Sequence, residues 1–153
     1  MSDNSKTKEA VTCAIRHIGT GVYSSGKIRV YLLQKGYSEA DAINAVKHLV
    51  DTGYIDDMRA SRKVLTARSG KKQESRQYIN KRLLEAGIDP DIADDIIATL
   101  DSDVDTCLSL FEANYSGSSA EYSDREEEFI KLAQLRGYNL ECARSAFRKF
   151  LER

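Results

Sequence analysis

The stretch Leu32-Leu33-Gln34-Lys35-Gly36-Tyr37 is followed by two close copies of itself, Leu83-Leu84-Glu85-Ala86-Gly87-Ile88 and Leu132-Ala133-Gln134-Leu135-Arg136-Gly137-Tyr138. The glycines of the three copies are 51 and 50 residues apart. A constant spacing in this range is typical of a chain built from repeated supersecondary units.

The residues after each glycine repeat one helical pattern. Small or apolar residues recur six, ten and thirteen residues after the glycine, which places them on one face of a helix. They are Ala42, Ala93 and Ala143, then Val46, Ile97 and Phe147, then Leu49, Leu100 and Phe150. The pattern predicts that a helix follows each glycine and buries the same face.

The full chain predicts nine helices and no strand. The fold class is therefore all-α, a tandem array of three three-helix repeats with helix-turn-helix-like joints, elongated and curved. We expect a flexible N-terminus over residues 1–8, a first repeat over 9–55, a second over 56–101 and a third over 102–153.

Local signals place several helix ends. Gly36 and Gly87 suit the left-handed residue after a helix. Ser38, Asp89 and Asn139 are predicted N-caps, with Pro90 at the first helical position. We expect the first helix to begin near Glu9, the fourth at Asp56 or Asp57 and the fifth near Glu74.

Composition indicates a helical protein with a modest core. The chain has 153 residues, 41% of them hydrophobic, with one proline and no tryptophan. Cys13, Cys107 and Cys142 are not spaced like metal ligands, and we interpret them as small buried or half-buried side chains. No apolar stretch approaches the ~20 residues that cross a bilayer, and the polar first residues do not resemble a signal peptide. We therefore expect a cytoplasmic monomer that contacts no membrane and needs no cofactor.

Charge is divided into blocks although the net charge is only −1. Residues 1–58 carry seven basic and seven acidic side chains, whereas residues 59–82 carry nine basic side chains against one acidic. Residues 83–128 carry fourteen acidic side chains against one basic, and residues 129–153 carry six basic against two acidic. Blocks of one sign predict separate positive and negative surfaces, one suited to a polyanion and the other to a protein.

The sequence argues against an enzyme such as a metal-dependent nuclease. Asp56 and Asp57 are adjacent at a helix start, so their side chains point about 100° apart and do not converge on one ion. We interpret one as a helix cap and the other as a charge at the positive end of the helix dipole. His17 and His48 lie far apart and form no acid–base pair. The chain contains no phosphate-binding glycine loop.

The three modules, the linker Gly53-Tyr54-Ile55-Asp56-Asp57-Met58-Arg59 and the phrase Leu83-Leu84-Glu85-Ala86-Gly87-Ile88 together resemble the RecX family of bacterial recombination regulators. The resemblance covers nearly the whole chain, from about Val11 to Leu151. It implies a non-enzymatic protein that binds the RecA recombinase, usually as its filament on single-stranded DNA. Such a protein depresses ATP hydrolysis, strand exchange and co-protease activity, and so modulates recombination, DNA repair and the SOS response.

The sequence departs from the family pattern at four places. Gly21 replaces an arginine, the segment Ser24-Ser25-Gly26-Lys27-Ile28 lacks a glutamate, Ala60 replaces a phenylalanine, and Gln73-Glu74-Ser75 replaces a glycine-rich turn. These departures concern local contacts and leave the predicted architecture unchanged.

The basic residues are the candidate contact surface for DNA phosphates or acidic recombinase loops. Arginine pairs with such groups through two parallel hydrogen bonds, whereas lysine acts as a point charge. The first candidate group is Arg59, Arg62, Lys63, Arg68, Lys71, Lys72, Arg76 and Arg82. The second, on the third repeat, is Arg144, Arg148 and Lys149 together with Lys131 and Arg136. Arg59 is equally compatible with an internal pairing with Asp56.

One alternative to the recombinase regulator remains from the sequence. The helix pairs around the glycine turns could form an independent DNA-binding module that needs no recombinase. The fourteen acidic side chains of residues 83–128 leave limited positive surface for that role.

Overall fold

The fold is all-α, as the sequence predicts. The computed structural model describes the backbone of residues 2–153 and the side chains from Ser5 onward. Within these residues the chain forms nine α-helices and no strand. The helices are α1 (Ser2–Ile18), α2 (Ser25–Gln34), α3 (Glu39–Asp51), α4 (Asp57–Ala67), α5 (Arg76–Glu85), α6 (Pro90–Thr99), α7 (Asp103–Asn114), α8 (Glu126–Leu135) and α9 (Leu140–Leu151). Two short 3₁₀ segments are Gly70–Lys72 and Ser119–Tyr122. None of the described helices is both long and apolar enough to span a membrane.

Most helix ends follow the predicted capping signals. Ser38 Oγ accepts a hydrogen bond from the Asp41 amide at 3.1 Å. Asn139 Oδ1 accepts one from the Cys142 amide at 2.7 Å. The three repeated glycines are left-handed, with φ of +97°, +84° and +93° at Gly36, Gly87 and Gly137. Glycine is favoured there because it has no Cβ to clash in this conformation.

Two predicted helix starts differ from the structure. The predicted flexible segment 1–8 is helical from Ser2 onward, while Met1 lies outside the described residues. Thr7 Oγ1 donates to Asp41 Oδ1 at 3.2 Å, which ties this early part of α1 to α3. The fifth helix begins two residues later than Glu74 because Ser75 Oγ accepts from the Tyr78 amide at 3.2 Å and caps it.

The described chain divides into two compact units. The N-terminal unit comprises residues 1–63 and 83–94, and the C-terminal unit comprises residues 64–82 and 95–153. These boundaries fall within α4, α5 and α6. The division into repeats at 9–55, 56–101 and 102–153 stays a prediction.

The core of the N-terminal unit is formed mainly by α1, α2 and α3. Small residues on α1 and α3 let these helices approach closely, and larger aliphatic side chains fill the space between them and α2. The core comprises Ala10, Ala14, Ile18, Ile28, Leu32, Ala42, Ala45, Leu49 and Ile55.

The core of the C-terminal unit is aromatic. Phe129 is fully buried at its centre. Its ring centroid lies 4.8 Å from Phe111, 4.8 Å from Phe147 and 5.0 Å from Phe150, each in an edge-on arrangement. Edge-to-face rings at these distances add stabilisation beyond the area that they bury.

A buried carboxylate connects helix starts in the N-terminal unit. Asp57 accepts hydrogen bonds from the Ser25 amide at 2.7 Å, the Ser25 hydroxyl at 2.6 Å and the Asp89 amide at 2.8 Å. Ser25 begins α2, and Asp89 immediately precedes α6. The first amides of a helix have no partner within the helix, so one carboxylate satisfies donors at two helix starts.

The start of α2 also lies directly on the glycine turn between α5 and α6. The Gly26 amide donates to Gly87 O at 2.8 Å, and Ser24 Oγ donates to Ala86 O at 2.7 Å. A Cβ added to Gly87 would lie 2.5 Å from Ser24 Oγ. Gly87 is therefore required both by its φ and by this close approach.

The C-terminal unit contains a similar contact. The start of α5 lies on the turn between α8 and α9, where the Ser75 amide donates to Arg136 O at 3.0 Å. Asp103 Oδ1, at the start of α7, accepts from the Arg76 amide at 2.9 Å. In both units a helix start packs on a glycine turn and is held by an aspartate from another helix.

Replacing Asp57 with alanine should destabilise the protein strongly. The change removes the acceptor of three part-buried hydrogen bonds from Ser25 and Asp89, and a buried donor left without an acceptor costs ~1–3 kcal/mol. Asp56→Ala is the matched control, since Asp56 only caps α4 through the Arg59 amide at 3.1 Å and should cost about 1 kcal/mol. Urea unfolding followed by circular dichroism measures both. Equal losses for the two variants would contradict the role assigned to Asp57.

Replacing two of the repeated glycines with alanine should distinguish the cost of backbone strain from the cost of a steric clash. Gly36→Ala and Gly87→Ala both force a left-handed alanine, at about 1 kcal/mol or slightly more each. Only Gly87→Ala also pushes a Cβ into Ser24 and Lys27, whereas nothing lies within 4 Å of a Cβ at Gly36. We expect Gly87→Ala to lower the melting temperature by several degrees more than Gly36→Ala. A similar shift for both would show that the clash relaxes without cost.

Candidate partner-binding surfaces

Three predicted contact residues lie on one exposed face of α4. Arg59, Arg62 and Lys63 are spaced i, i+3 and i+4, so the helix places their side chains side by side. All three are exposed, and none has an ion pair recorded among the described side chains. Asp56 accepts the backbone amide of Arg59 rather than pairing with its guanidinium. These three cations are therefore available to an anionic partner.

Lys71 and Lys72 are exposed on the short 3₁₀ segment of the C-terminal unit. The segment is held to α7 through its backbone, because Asn114 Nδ2 donates to Lys71 O at 3.3 Å. The backbone is thus anchored while both ammonium groups point toward solvent.

Two predicted contact arginines pair internally with a buried glutamate. Glu74 is 2% exposed. It accepts hydrogen bonds from Arg82 Nε and Nη2, both at 3.3 Å, and Arg68 Nη1 lies 3.7 Å from its Oε2. A buried carboxylate needs such partners because desolvation of its charge is costly. Arg68 and Arg82 therefore neutralise Glu74 and support the fold.

Arg76 also has internal partners. Its Nε donates to Asp101 O at 3.1 Å and its Nη2 to Leu100 O, just beyond the end of α6. A guanidinium at this position satisfies carbonyls that have no helical partner and complements the negative end of the helix dipole. Within the C-terminal unit, Arg76 acts as a helix cap.

Three members of the second predicted group are exposed on α9 and weakly paired. Arg144 lies 3.6 Å from Glu126, and Lys149 lies 3.8 Å from Asp105. Arg148 donates to Ser145 Oγ at 3.2 Å. Exposed pairs of this kind contribute ~0–1 kcal/mol, so a partner can replace them at little cost.

The structure therefore separates the first candidate group into two sets. Five members are exposed and form no ion pair with a described side chain: Arg59, Arg62, Lys63, Lys71 and Lys72. Arg68, Arg76 and Arg82 bond to neighbours within the C-terminal unit. The sequence signal for an internal pairing was Glu74, the only acidic residue of 59–82, but the sequence did not indicate which arginines would contact it.

The paired aspartates are occupied by hydrogen bonds. Asp56 caps α4, which confirms half of the structural interpretation. Asp57 lies in the first turn of α4, as predicted, and its oxygens also accept hydrogen bonds from Ser25 and Asp89, which the sequence did not predict. Across the described side chains, no group of three or more histidines, cysteines or acids is placed to hold a metal ion.

Several titratable groups in the C-terminal unit are part of its core. Burial raises the pKa of the Cys107 thiol well above its ordinary value, and burial also raises the pKa of Cys142. Burial raises the pKa of the Tyr138 hydroxyl too, which lies 2.7 Å from Thr106 Oγ1. These groups stay neutral at physiological pH and serve as packing side chains, as predicted for the cysteines.

A large groove in the N-terminal unit was not predicted. It has a volume of about 990 Å³ and is lined by residues of α2, α3, the start of α4 and the turn between α5 and α6. Apolar side chains on its walls are roughly half exposed, among them Ile43, Val50 and Met58. The spacing of Ile43 and Val50, seven residues apart on the side of α3 away from Leu49, was the available signal.

Removing Arg82 should reduce stability, whereas removing Arg62 should not. Arg82→Ala leaves Glu74 with Arg68 as its one, weaker partner. We expect the free energy of unfolding to fall by about 2 kcal/mol, which is less than the ~3–5 kcal/mol typical when a buried ion pair is fully broken. Arg62→Ala should change stability by at most ~0.5 kcal/mol, as for other exposed positions. Chemical denaturation checks both values. A loss for Arg62→Ala as large as that for Arg82→Ala would contradict this division.

Comparison with known proteins supports the resemblance read from the sequence. No protein-family model matches the chain. Regulatory protein RecX of Trichlorobacter lovleyi is 24% identical over 155 residues, which cover 97% of this chain and 100% of the relative. Regulatory protein RecX of Pelodictyon phaeoclathratiforme is 26% identical over 149 residues, covering 97% and 92%.

A solved structure shows the same fold. The crystal structure of RecX from Lactobacillus salivarius aligns with a TM-score of 0.69 at 14% identity, covering 97% of this chain and 98% of that one. The sequence matches and the shared fold both extend over nearly the whole chain, as does the resemblance carried by the linker at 53–59 and the phrase at 83–88. Over nearly its whole length, the chain is therefore similar to RecX proteins in sequence and in fold.

Proposed function

We propose that this protein is a non-enzymatic regulator that binds the RecA recombinase filament on single-stranded DNA and inhibits it. The inhibited activities are ATP hydrolysis, strand exchange and co-protease activity, so the protein modulates recombination, DNA repair and the SOS response in the cytoplasm. The observation that carries the proposal is the nearly full-length similarity to two proteins named Regulatory protein RecX.

The exposed cations support contact with a nucleoprotein. Arg59, Arg62 and Lys63 offer a row of positive charge on α4, and Lys71 and Lys72 offer a second exposed site. Neutralising DNA phosphates releases counterions, which gives salt-dependent affinity. We propose that these five residues contact phosphates or acidic loops of the recombinase, while Arg144, Arg148 and Lys149 form a secondary contact.

A tandem array suits a partner that is itself a repeating filament. We propose that residues 9–55, 56–101 and 102–153 are three helical repeats, forming an elongated and curved monomer. The support is that both compact units use one kind of contact, in which a helix start packs on a glycine turn. Repeated modules present extended concave surfaces, which match a long groove better than a single compact domain does.

The direct test is ATP hydrolysis by the cognate recombinase on single-stranded DNA, with this protein titrated in. We expect inhibition at ratios well below one protein per recombinase subunit if it caps filaments, and near one if it coats them. Unchanged hydrolysis at saturating protein would contradict the proposal. Salt-sensitive binding to bare DNA in that case would favour the independent DNA-binding module, for which the basic face of α4 is the supporting observation.

Removing exposed positive charge should weaken inhibition without unfolding the protein. We expect the variant with Arg62, Lys63, Lys71 and Lys72 changed to alanine to need at least tenfold more protein for half-inhibition. Its matched control removes four other exposed cations, Lys6, Lys8, Arg16 and Lys35. Circular dichroism verifies helix content, and the salt dependence should become shallower only in the first variant. Equal inhibition by both variants would place the contact elsewhere.

A further inference from the structure

Helix α3 has two apolar faces, of which the core uses one. Ala42, Ala45 and Leu49 are fully buried in the N-terminal unit. Ile43 and Val50 lie seven residues apart, two helical turns, on another face and are 49% and 47% exposed. A surface helix normally carries polar residues on its outer face. The second apolar face therefore needs an explanation outside the core.

The packing of a helical repeat does not require an apolar residue at the position of Ile43. The position seven residues after the repeated glycine is Ile43 in the first copy, but Asp94 in the second and Arg144 in the third. Charged residues at the matching positions of α6 and α9 show that the same kind of helix forms without an apolar side chain there. The exposed apolar side chain at this position is thus specific to α3.

Other elements extend this face into a groove. Val30 on α2, Met58 on α4 and Leu84 on α5 are 45%, 50% and 44% exposed and line the same groove. Ile55 and Ile88 are buried beneath them. Single exposed apolar residues are ordinary, whereas a contiguous set in a concave surface marks an interaction site.

The charge around the groove selects the kind of occupant. Its lining contains three basic residues, Lys27, Arg29 and Lys47, against five acidic residues, Asp51, Asp56, Asp57, Glu85 and Asp89. Internal contacts reduce both sides of this count, because Arg29 lies 3.3 Å from Glu39 and the buried Asp57 already accepts hydrogen bonds from Ser25 and Asp89. The rim is formed by the exposed acids, among them Asp51, Asp56 and Asp89. An acidic lining repels nucleic acid and attracts cationic side chains.

We propose that this groove binds a protein segment whose apolar side chains enter the groove and whose lysines or arginines meet the acidic rim. An amphipathic helix with apolar residues at i, i+3 or i+4, and i+7 fits such a surface. This inference rests on the proposed function in one respect, since it assigns the segment to the recombinase. The protein contact is then chemically distinct from the phosphate contact made by the exposed cations of α4.

The test compares two charge-introducing double variants of the full chain. Ile43→Glu with Val50→Glu places two carboxylates in the groove. Leu135→Glu with Leu140→Glu is the matched control, since these leucines are 69% and 41% exposed in the C-terminal unit. Binding of fluorescently labelled protein to preformed recombinase filaments on single-stranded DNA is measured by anisotropy, with helix content verified by circular dichroism. We expect at least tenfold weaker binding for the groove variant and less than a twofold change for the control.

The remaining outcomes each decide the inference. Wild-type binding retained by the groove variant overturns the groove assignment and leaves the proposed function intact. Failure of the wild type to bind filaments contradicts the proposed function and removes the assigned occupant with it. If the groove variant loses affinity for bare single-stranded DNA, the occupant is nucleic acid, which overturns the inference. If sedimentation velocity shows a wild-type dimer that only the groove variant dissociates, the occupant is a second copy, which also overturns it.

Discussion

The structure depends on how helix starts are satisfied. Amides in the first turn of a helix have no partner within that helix, and a buried start without partners would be costly. In the N-terminal unit the carboxylate of Asp57 supplies acceptors to Ser25 and Asp89, and Gly87 lets the start of α2 approach a turn closely enough to use its carbonyl. The C-terminal unit solves the same problem with Asp103 and Gly137.

Basic side chains in this chain either compensate a buried charge or stay exposed, and the structure separates the two cases residue by residue. Burial of Glu74 requires compensation by Arg68 and Arg82, which commits the charge of these half-buried arginines to an internal ion pair. Arg62 and Lys63 have no such neighbour on α4 and stay exposed. A block of basic sequence is therefore only partly a basic surface, and its contribution to binding depends on where the nearby carboxylate lies.

The N-terminal unit combines surfaces suited to different kinds of partner. Exposed cations on α4 suit phosphates, whereas the groove beside Ile43 and Val50 is apolar with an acidic rim and suits a cationic protein segment. Both surfaces fit the proposed regulator of a filament made of protein and DNA, because contacts of both kinds recognise the assembly rather than either component alone.

The sequence by itself determined the helices, because a helix depends on near neighbours. Apolar spacing of 3.6 residues predicted the buried faces, and Ser38, Asn139 and the repeated glycines marked helix ends. The early start of α1 was missed, since a polar segment such as 2–8 carries no apolar pattern. Only the tertiary structure decided which arginines are available, what Asp57 binds and that α3 presents a second apolar face to a groove. The contacts of Asp57 join residues 32 positions apart, and the choice of arginine at Glu74 depends on how the helices pack, neither of which composition and periodicity specify.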